Sequence, residues 1–259
     1  MHSFMNIDES EVYLGLARGL ESIEREIAAH GSEDDKVCLQ YILSGRTGDL
    51  ERRWANGVMD TGRPIGLALA DFAAHANSVV AGLSHAHVAA LRLYTSNAFR
   101  SINNPLRNRD KAKPYPFPVT LLLITDGIRK LRAVGASSAD ANKPLDLWRG
   151  MRNMELEGDF VGEGGTEVAP MSTTTDLRVA VSYSVGFDPS SATRALLFKL
   201  RAESFMDRGA DLSYLSCFPG EAEMAFPPLT FLAPSGRQEV FLVEGVEFEC
   251  IEVVPRFSS

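Results

Sequence analysis

The chain is short of cysteine, short of positive charge and without any long apolar run. Cys38, Cys217 and Cys250 are its only 3 cysteines in 259 residues. An odd, scattered set supports neither a disulfide framework nor a zinc pattern, and it fits a reducing compartment. Lys and Arg number 26 against 34 Asp and Glu, which leaves a net charge of −8. That sign argues against a phosphate-backbone partner, so no nucleic acid is expected. The longest apolar stretches, such as Val119 to Ile124, are far too short to cross a bilayer. The opening MHSFMNIDESEVYL has neither the basic nor the apolar region of a secretory signal. The expectation is a cytoplasmic protein with no membrane partner and no metal.

With 45% hydrophobic and 23% charged residues, the composition suits one large globular domain or two small ones. The first half reads helical. In DESEVYLGLARGLESIEREIAAHG, Val12, Leu14, Leu16, Leu20, Ile23 and Ile27 recur mostly at spacings of three and four, with Asp8 or Ser10 as cap and Gly31 as stop. EDDKVCLQYILSG predicts a second helix ending at Gly45. The turn-rich NGVMDTGRPIG suggests a boundary near residue 60, giving a helical extension over 1–64 and a main domain over 65–259. Ser84 caps a further helix with the stripe Val88, Leu91, Thr95, Ala98 and Ile102, and Pro105 is expected to stop it. PYPFPVTLLLITDGIRKLRAVG predicts another, with Leu121, Ile124, Ile128 and Leu131 facing inward.

The second half changes period. LDLWRGM, GGTEVAPM, RALLFKL, EAEMAF, TFLAP and QEVFLVEGVEFECIEVV read as strands, interrupted by one short helix, TTDLRVAVSYS, capped by Thr174 or Thr175. Helices followed by strands, with no crossover helices between the later strands, predict an α+β fold with an antiparallel sheet.

Three pieces of this half carry chemistry. Arg149, in the apolar LWRGM, stays ionised and must meet an anion, either a ligand or an ordinary Asp or Glu; Gly150 beside it permits a close backbone approach. Ser172, Thr173 and Thr174 end a strand just before a helix, where hydroxyls cap helices or fix a neighbouring side chain. Glu221 and Glu223 in FPGEAEMAFPP would share one face of a strand, their Cα atoms roughly 6–7 Å apart. They are either two solvated surface acids or a pair with different tasks around one sugar carbon.

The order arginine, Ser-Thr-Thr, Glu-x-Glu, Pro-Pro resembles the mono-ADP-ribosyltransferases of the cholera-toxin-like group, defined by an Arg, a Ser-Thr-Ser type triplet and Glu-x-Glu. DLSYLSCFPGEAEMAFPP is similar to the loop-and-strand signature of the arginine-modifying members. LRLYTSNAFRSINNPLR resembles the helix before their catalytic core, and the likeness covers roughly residues 65–259. The triplet here ends in Thr174 instead of Ser, and Met171 stands where an aromatic is common. No counterpart is assigned to the first 60 residues, and their role is open.

The resemblance implies a helical N-terminal half packed on a two-sheet antiparallel β core. It implies NAD as co-substrate and a protein with an exposed arginine as acceptor. Arg149 would grip a phosphate of NAD, Gly150 would meet the nicotinamide amide, and Ser172 would orient Glu223. Glu223 would bond the ribose 2′-hydroxyl and Glu221 would receive the acceptor. Thr173, Thr174, Tyr94 and Asn103 would lie beside the cofactor, and Tyr214 and Phe218 would meet the target protein or serve the core. An NAD glycohydrolase, with water in place of arginine, and a non-catalytic NAD- or protein-binding module are the alternatives.

Overall fold

The computed structural model describes residues 8–45, 53–54, 57–108, 113–137, 140–151, 159–185, 194–243 and 246–257. They fall into two compact units, Met1–Val134 with Ser213–Gly220, and Gly135–Leu212 with Glu221–Ser259.

The first unit is helical. The expected single N-terminal helix is two, Glu9–Arg18 and Leu20–His30, broken at Gly19 (φ 59°, ψ −110°). That left-handed φ is one that glycine adopts without a Cβ penalty, which the apolar periodicity running through it conceals. Asp8 caps the first helix through Ser10 N at 2.8 Å. Leu14, counted with the apolar set of that helix, is exposed. Ser32 and Asp35 form a reciprocal capping box at the start of Glu33–Ser44. His85–Thr95 is capped by Ser84, as its sequence predicts. The chain then breaks at Ser96 and resumes as Phe99–Arg107, with Pro105 inside this helix instead of ending it. The predicted stripe is buried along both pieces. In Pro118–Gly135 the four expected inward residues are buried as well. Its first turn is capped from far away in sequence: Glu26 accepts from Val119 N, Thr120 N and Thr120 Oγ1 at 2.6–2.9 Å.

The turn-rich stretch near residue 60 is an anchor. Asp60, 3% exposed, takes Arg92 Nη2 at 2.7 Å and Tyr41 Oη at 3.1 Å. Arg92, only 1% exposed, also lies 3.8 Å over the Phe72 ring and donates to Leu215 O at 2.7 Å. Arg63 donates to the carbonyls of Ser213, Tyr214 and Ser216 at 2.6–2.8 Å. Main-chain Asp60 N meets Cys217 O at 2.7 Å, and Thr95 Oγ1 accepts from Cys217 N at 2.9 Å. Segment 213–217 is thus held by its backbone from several sides. Tyr214 stacks on His75 and shares a 2.8 Å bond with Ser78, and Phe218 is buried, so both serve packing.

The second unit is a sheet of eight strands among the described residues: β3 Leu145–Met151, β4 Gly165–Glu167, β5 Met171–Thr174, β6 Arg194–Ala202, β7 Ala210–Asp211, β8 Glu223–Phe226, β9 Thr230–Val243 and β10 Val246–Arg256. The short pair β1 Arg53–Trp54 and β2 Gly57–Val58 belongs to the helical unit. The order β4-β9-β10-β6-β3-β5-β8-β7 is one mixed sheet, which corrects the expected two-sheet antiparallel core. β6 and β10 run parallel; the connection between them is made of other strands, not a helix, and so gave no crossover signal in the sequence. β3 and β5 are joined by one register pair, Trp148 with Thr174.

Alternation along the strands sends Leu196, Phe198 and Leu200 to one apolar cluster with Leu147, Met171 and Phe226. Ala195 and Leu197 go to another, with Phe248 and Cys250. The second cluster includes Ala180 and Val185 of the helix Leu177–Val185, which packs directly on β3 and β6. A Cβ on Gly150 would stand 1.8 Å from Ala180 O. What approaches Gly150 from that side is therefore the helix. A backbone oxygen cannot rotate away, so Gly150→Ala is expected to destabilise the fold by about 1–3 kcal/mol, read from a urea midpoint. A wild-type midpoint would show that helix and strand separate freely.

Candidate active site

The site is built on β3, β5 and β8. β5 and β8 are antiparallel, with Ser172 opposite Ala225 and Thr174 opposite Glu223. Ser172 and Glu223 are therefore diagonal neighbours, within reach across one face. Ser172 Oγ donates to Glu223 Oε1 at 2.6 Å, and Glu223 is only 5% exposed. A buried carboxylate needs such a donor to offset its lost hydration.

The other two hydroxyls of the triplet turn to the same stretch of chain. Thr173 Oγ1 donates to Met224 O at 2.9 Å, and Thr174 Oγ1 to Glu221 O at 2.7 Å. Ser-Thr-Thr is thus a three-point clamp on residues 221–224. Thr174 also accepts from Asp176 N at 3.0 Å. The helix cap itself is Asp176, whose Oδ1 takes Arg178 N at 2.9 Å, in place of the expected Thr174 or Thr175. The added methyl of Thr174 does not prevent its hydroxyl from making both bonds.

Glu221 is not on the strand with Glu223. It ends the 3-10 turn Pro219–Glu221, and Ala222 between the two acids has φ 45°. The i, i+2 alternation used to place both acids on one face fails here because the backbone is left-handed at the intervening residue. Glu221 Oε1 accepts from Tyr183 Oη at 2.6 Å. Burial raises the Glu221 pKa above its usual value, and the Tyr183 bond pulls it back down.

Arg149 on β3 donates from Nη1 to Ser172 O at 2.9 Å, which ties the guanidinium to the strand carrying Ser172. Its Nη2 lies 3.4 Å from Glu167 Oε2, a long ion pair. Arg149, Ser172 and Glu223 are thus linked through bonded contacts, with Glu221 attached through Thr174. Glu167 and Tyr183 are the members that sequence reasoning missed. The helix carrying Tyr183 starts directly after the triplet, which was the available signal; for Glu167 there was none.

Tyr94 and Asn103 lie in the helical unit, 2% and 3% exposed, on His85–Thr95 and Phe99–Arg107. Among the described residues no group of His, Cys, Asp and Glu is arranged to hold a metal ion, and no helix is long and apolar enough to cross a membrane.

The α+β fold is that of ADP-ribosyltransferases. Plx2a, an ADP-ribosyltransferase toxin from Paenibacillus larvae, aligns with a TM-score of 0.51 and 17% identity over 68% of this chain and 88% of its own. The ADP-ribosyltransferase HopU1 of Pseudomonas syringae pv. Tomato aligns at 0.52 and 19% over 86% of this chain and 98% of its own. The eukaryotic mono-ADP-ribosyltransferase ART2.2, solved with NADH, aligns at 0.53 and 15% over 97% of this chain and 86% of its own. No protein-family model and no curated protein sequence matches the chain.

Proposed function

We propose that this chain is an NAD-dependent mono-ADP-ribosyltransferase that moves ADP-ribose from NAD to an arginine side chain of a protein and releases nicotinamide. The observation that carries this reading is the 2.6 Å bond from Ser172 to the buried Glu223, within a triplet that clamps residues 221–224. A surface acid of no function needs neither burial nor a dedicated donor.

The donor set suits the dinucleotide. Arg149 supplies a planar, permanently charged fork for the diphosphate, and Ser172 O fixes one of its nitrogens. A diphosphate would compete with Glu167 for Nη2, and at 3.4 Å that pair is long enough to yield. The backbone of Gly150 meets the nicotinamide amide. Glu223, oriented by Ser172, accepts from the ribose 2′-hydroxyl and favours the positive charge that develops on the sugar as the glycosidic bond breaks. The bonding pair leaves with nicotinamide. Glu221 orients the acceptor guanidinium and takes its proton as the new C–N bond forms. Thr173 and Thr174 keep the two glutamates in place.

In this reading residues 65–259 carry the catalysis and residues 1–64 support it; the bond that the buried Arg92 donates to Asp60 favours that division of labour. The test is incubation with labelled NAD and agmatine, with mass spectrometry of the products. ADP-ribosyl-agmatine and free nicotinamide are expected. Nicotinamide without conjugate would assign hydrolysis instead, and neither product would reduce the chain to a binding module.

A further inference from the structure

We infer that Tyr183 is a positioning residue for Glu221, tying one oxygen of its carboxylate so that the other is presented to the acceptor guanidinium. This rests on the proposed role of Glu221, and it adds a residue outside the Arg, Ser-Thr-Thr and Glu-x-Glu set.

The geometry is specific. Tyr183 projects from Leu177–Val185 and donates to Oε1 at 2.6 Å, at the short end for a hydroxyl on a carboxylate. It is 39% exposed, so core packing does not account for its position. Among the described residues, Oε2 of Glu221 takes no hydrogen bond from the protein. The carboxylate is thereby divided: one oxygen is fixed by Tyr183, and the other keeps its capacity to accept from an acceptor guanidinium. The backbone of Glu221 is held separately by Thr174, so residue and side chain are anchored from two elements, β5 and the helix that follows it.

The other charged groups of these elements are engaged elsewhere. Asp176 and Arg178, at the start of the helix, pair with each other at 2.7 Å, and Glu223 takes Ser172. Tyr183 is thus the group that acts on the protonation of Glu221. Its hydroxyl bonds the anion and favours it, against a burial that favours the neutral acid. A base must be ionised to accept the guanidinium proton. Transfer therefore falls as pH drops through the Glu221 value, and losing the tyrosine hydroxyl moves that fall to higher pH.

The experiment compares wild type with Tyr183→Phe, which keeps the ring and removes the donor. Transfer to agmatine is expected to fall about tenfold at neutral pH, as loss of a hydrogen bond to a charged group predicts. NAD hydrolysis is expected to fall by a smaller factor than transfer, and the acid limb of transfer to shift upward in pH. A carboxyl-labelled titration, with Glu221→Gln to assign the signal, is expected to show the Glu221 carboxyl titrating at higher pH in Tyr183→Phe; this readout needs no turnover. Equal transfer and an unmoved carboxyl in Tyr183→Phe would overturn the inference while leaving the transferase reading intact. Equal loss of transfer and hydrolysis would assign Tyr183 to structure and overturn it as well. A wild-type protein active toward neither agmatine nor water would remove the acceptor role and the inference with it.

Discussion

Glu223→Gln is expected to remove both activities, cutting NAD hydrolysis and agmatine transfer by about a hundredfold to a thousandfold, the scale for losing one preorganised electrostatic contact at a reacting centre. Glu221→Gln is expected to abolish transfer and spare hydrolysis. The two changes are isosteric and lie two residues apart, so a difference between them reports chemistry. The structure gives a reason to expect the separation. Glu223 is buried on β8 under Ser172, whereas Glu221 lies on the preceding turn and is approached by Tyr183. Different supports suit different tasks; in the proposed reaction one acid serves the sugar and the other the nucleophile. Nicotinamide release and agmatine conjugation, measured side by side, decide the matter. Conjugation surviving Glu221→Gln, or hydrolysis surviving Glu223→Gln, would break the assignment.

The largest effect on stability is expected at Asp60. Removing one member of a buried ion pair strands the other charge, at a cost of about 3–5 kcal/mol. Arg92, at 1% exposure, cannot reach water to recover its hydration. Asp60→Ala leaves that guanidinium with Leu215 O and the Phe72 ring, and it strips Tyr41 and Arg63 of an acceptor at the same time. A urea midpoint should fall accordingly, and limited proteolysis should open the chain around residues 213–218. By contrast, the exposed pair Arg25 with Glu21 should be nearly silent when removed. Comparable midpoints for the two variants would show that the Asp60 network adds nothing to the fold.

Much of this architecture can be read from residue order alone. Apolar periodicity located the helical half, and Asp8 and Ser84 announced their caps because capping depends on one side chain and its immediate neighbours. The breaks at Gly19 and Ser96 were missed because the hydrophobic stripe continues across them, and burial follows the stripe more than the helix. Pro105 was misjudged because it sits within Phe99–Arg107 without ending it. The parallel pairing of β6 with β10 depends on contacts between distant segments, which local pattern cannot rank. At the site, Ser172 and the two glutamates were visible as residue types in a recurring order. Tyr183 was not, because its partner is 38 positions away. Nor was the turn at Ala222, since a positive φ at alanine leaves no mark in composition.

Arg63 and Arg92 take hold of segment 213–217 through carbonyl oxygens, and Thr95 through an amide. Nearly every amino acid supplies those same main-chain atoms. The course of the main chain is therefore held by atoms that a substitution leaves in place, while the side chains of Tyr214, Leu215, Ser216 and Cys217 are committed to packing. Exchange of the half-buried Ser213 is then expected to leave the course of the backbone just ahead of the two glutamates unchanged, whereas exchange of the buried Leu215 or Ser216 is not.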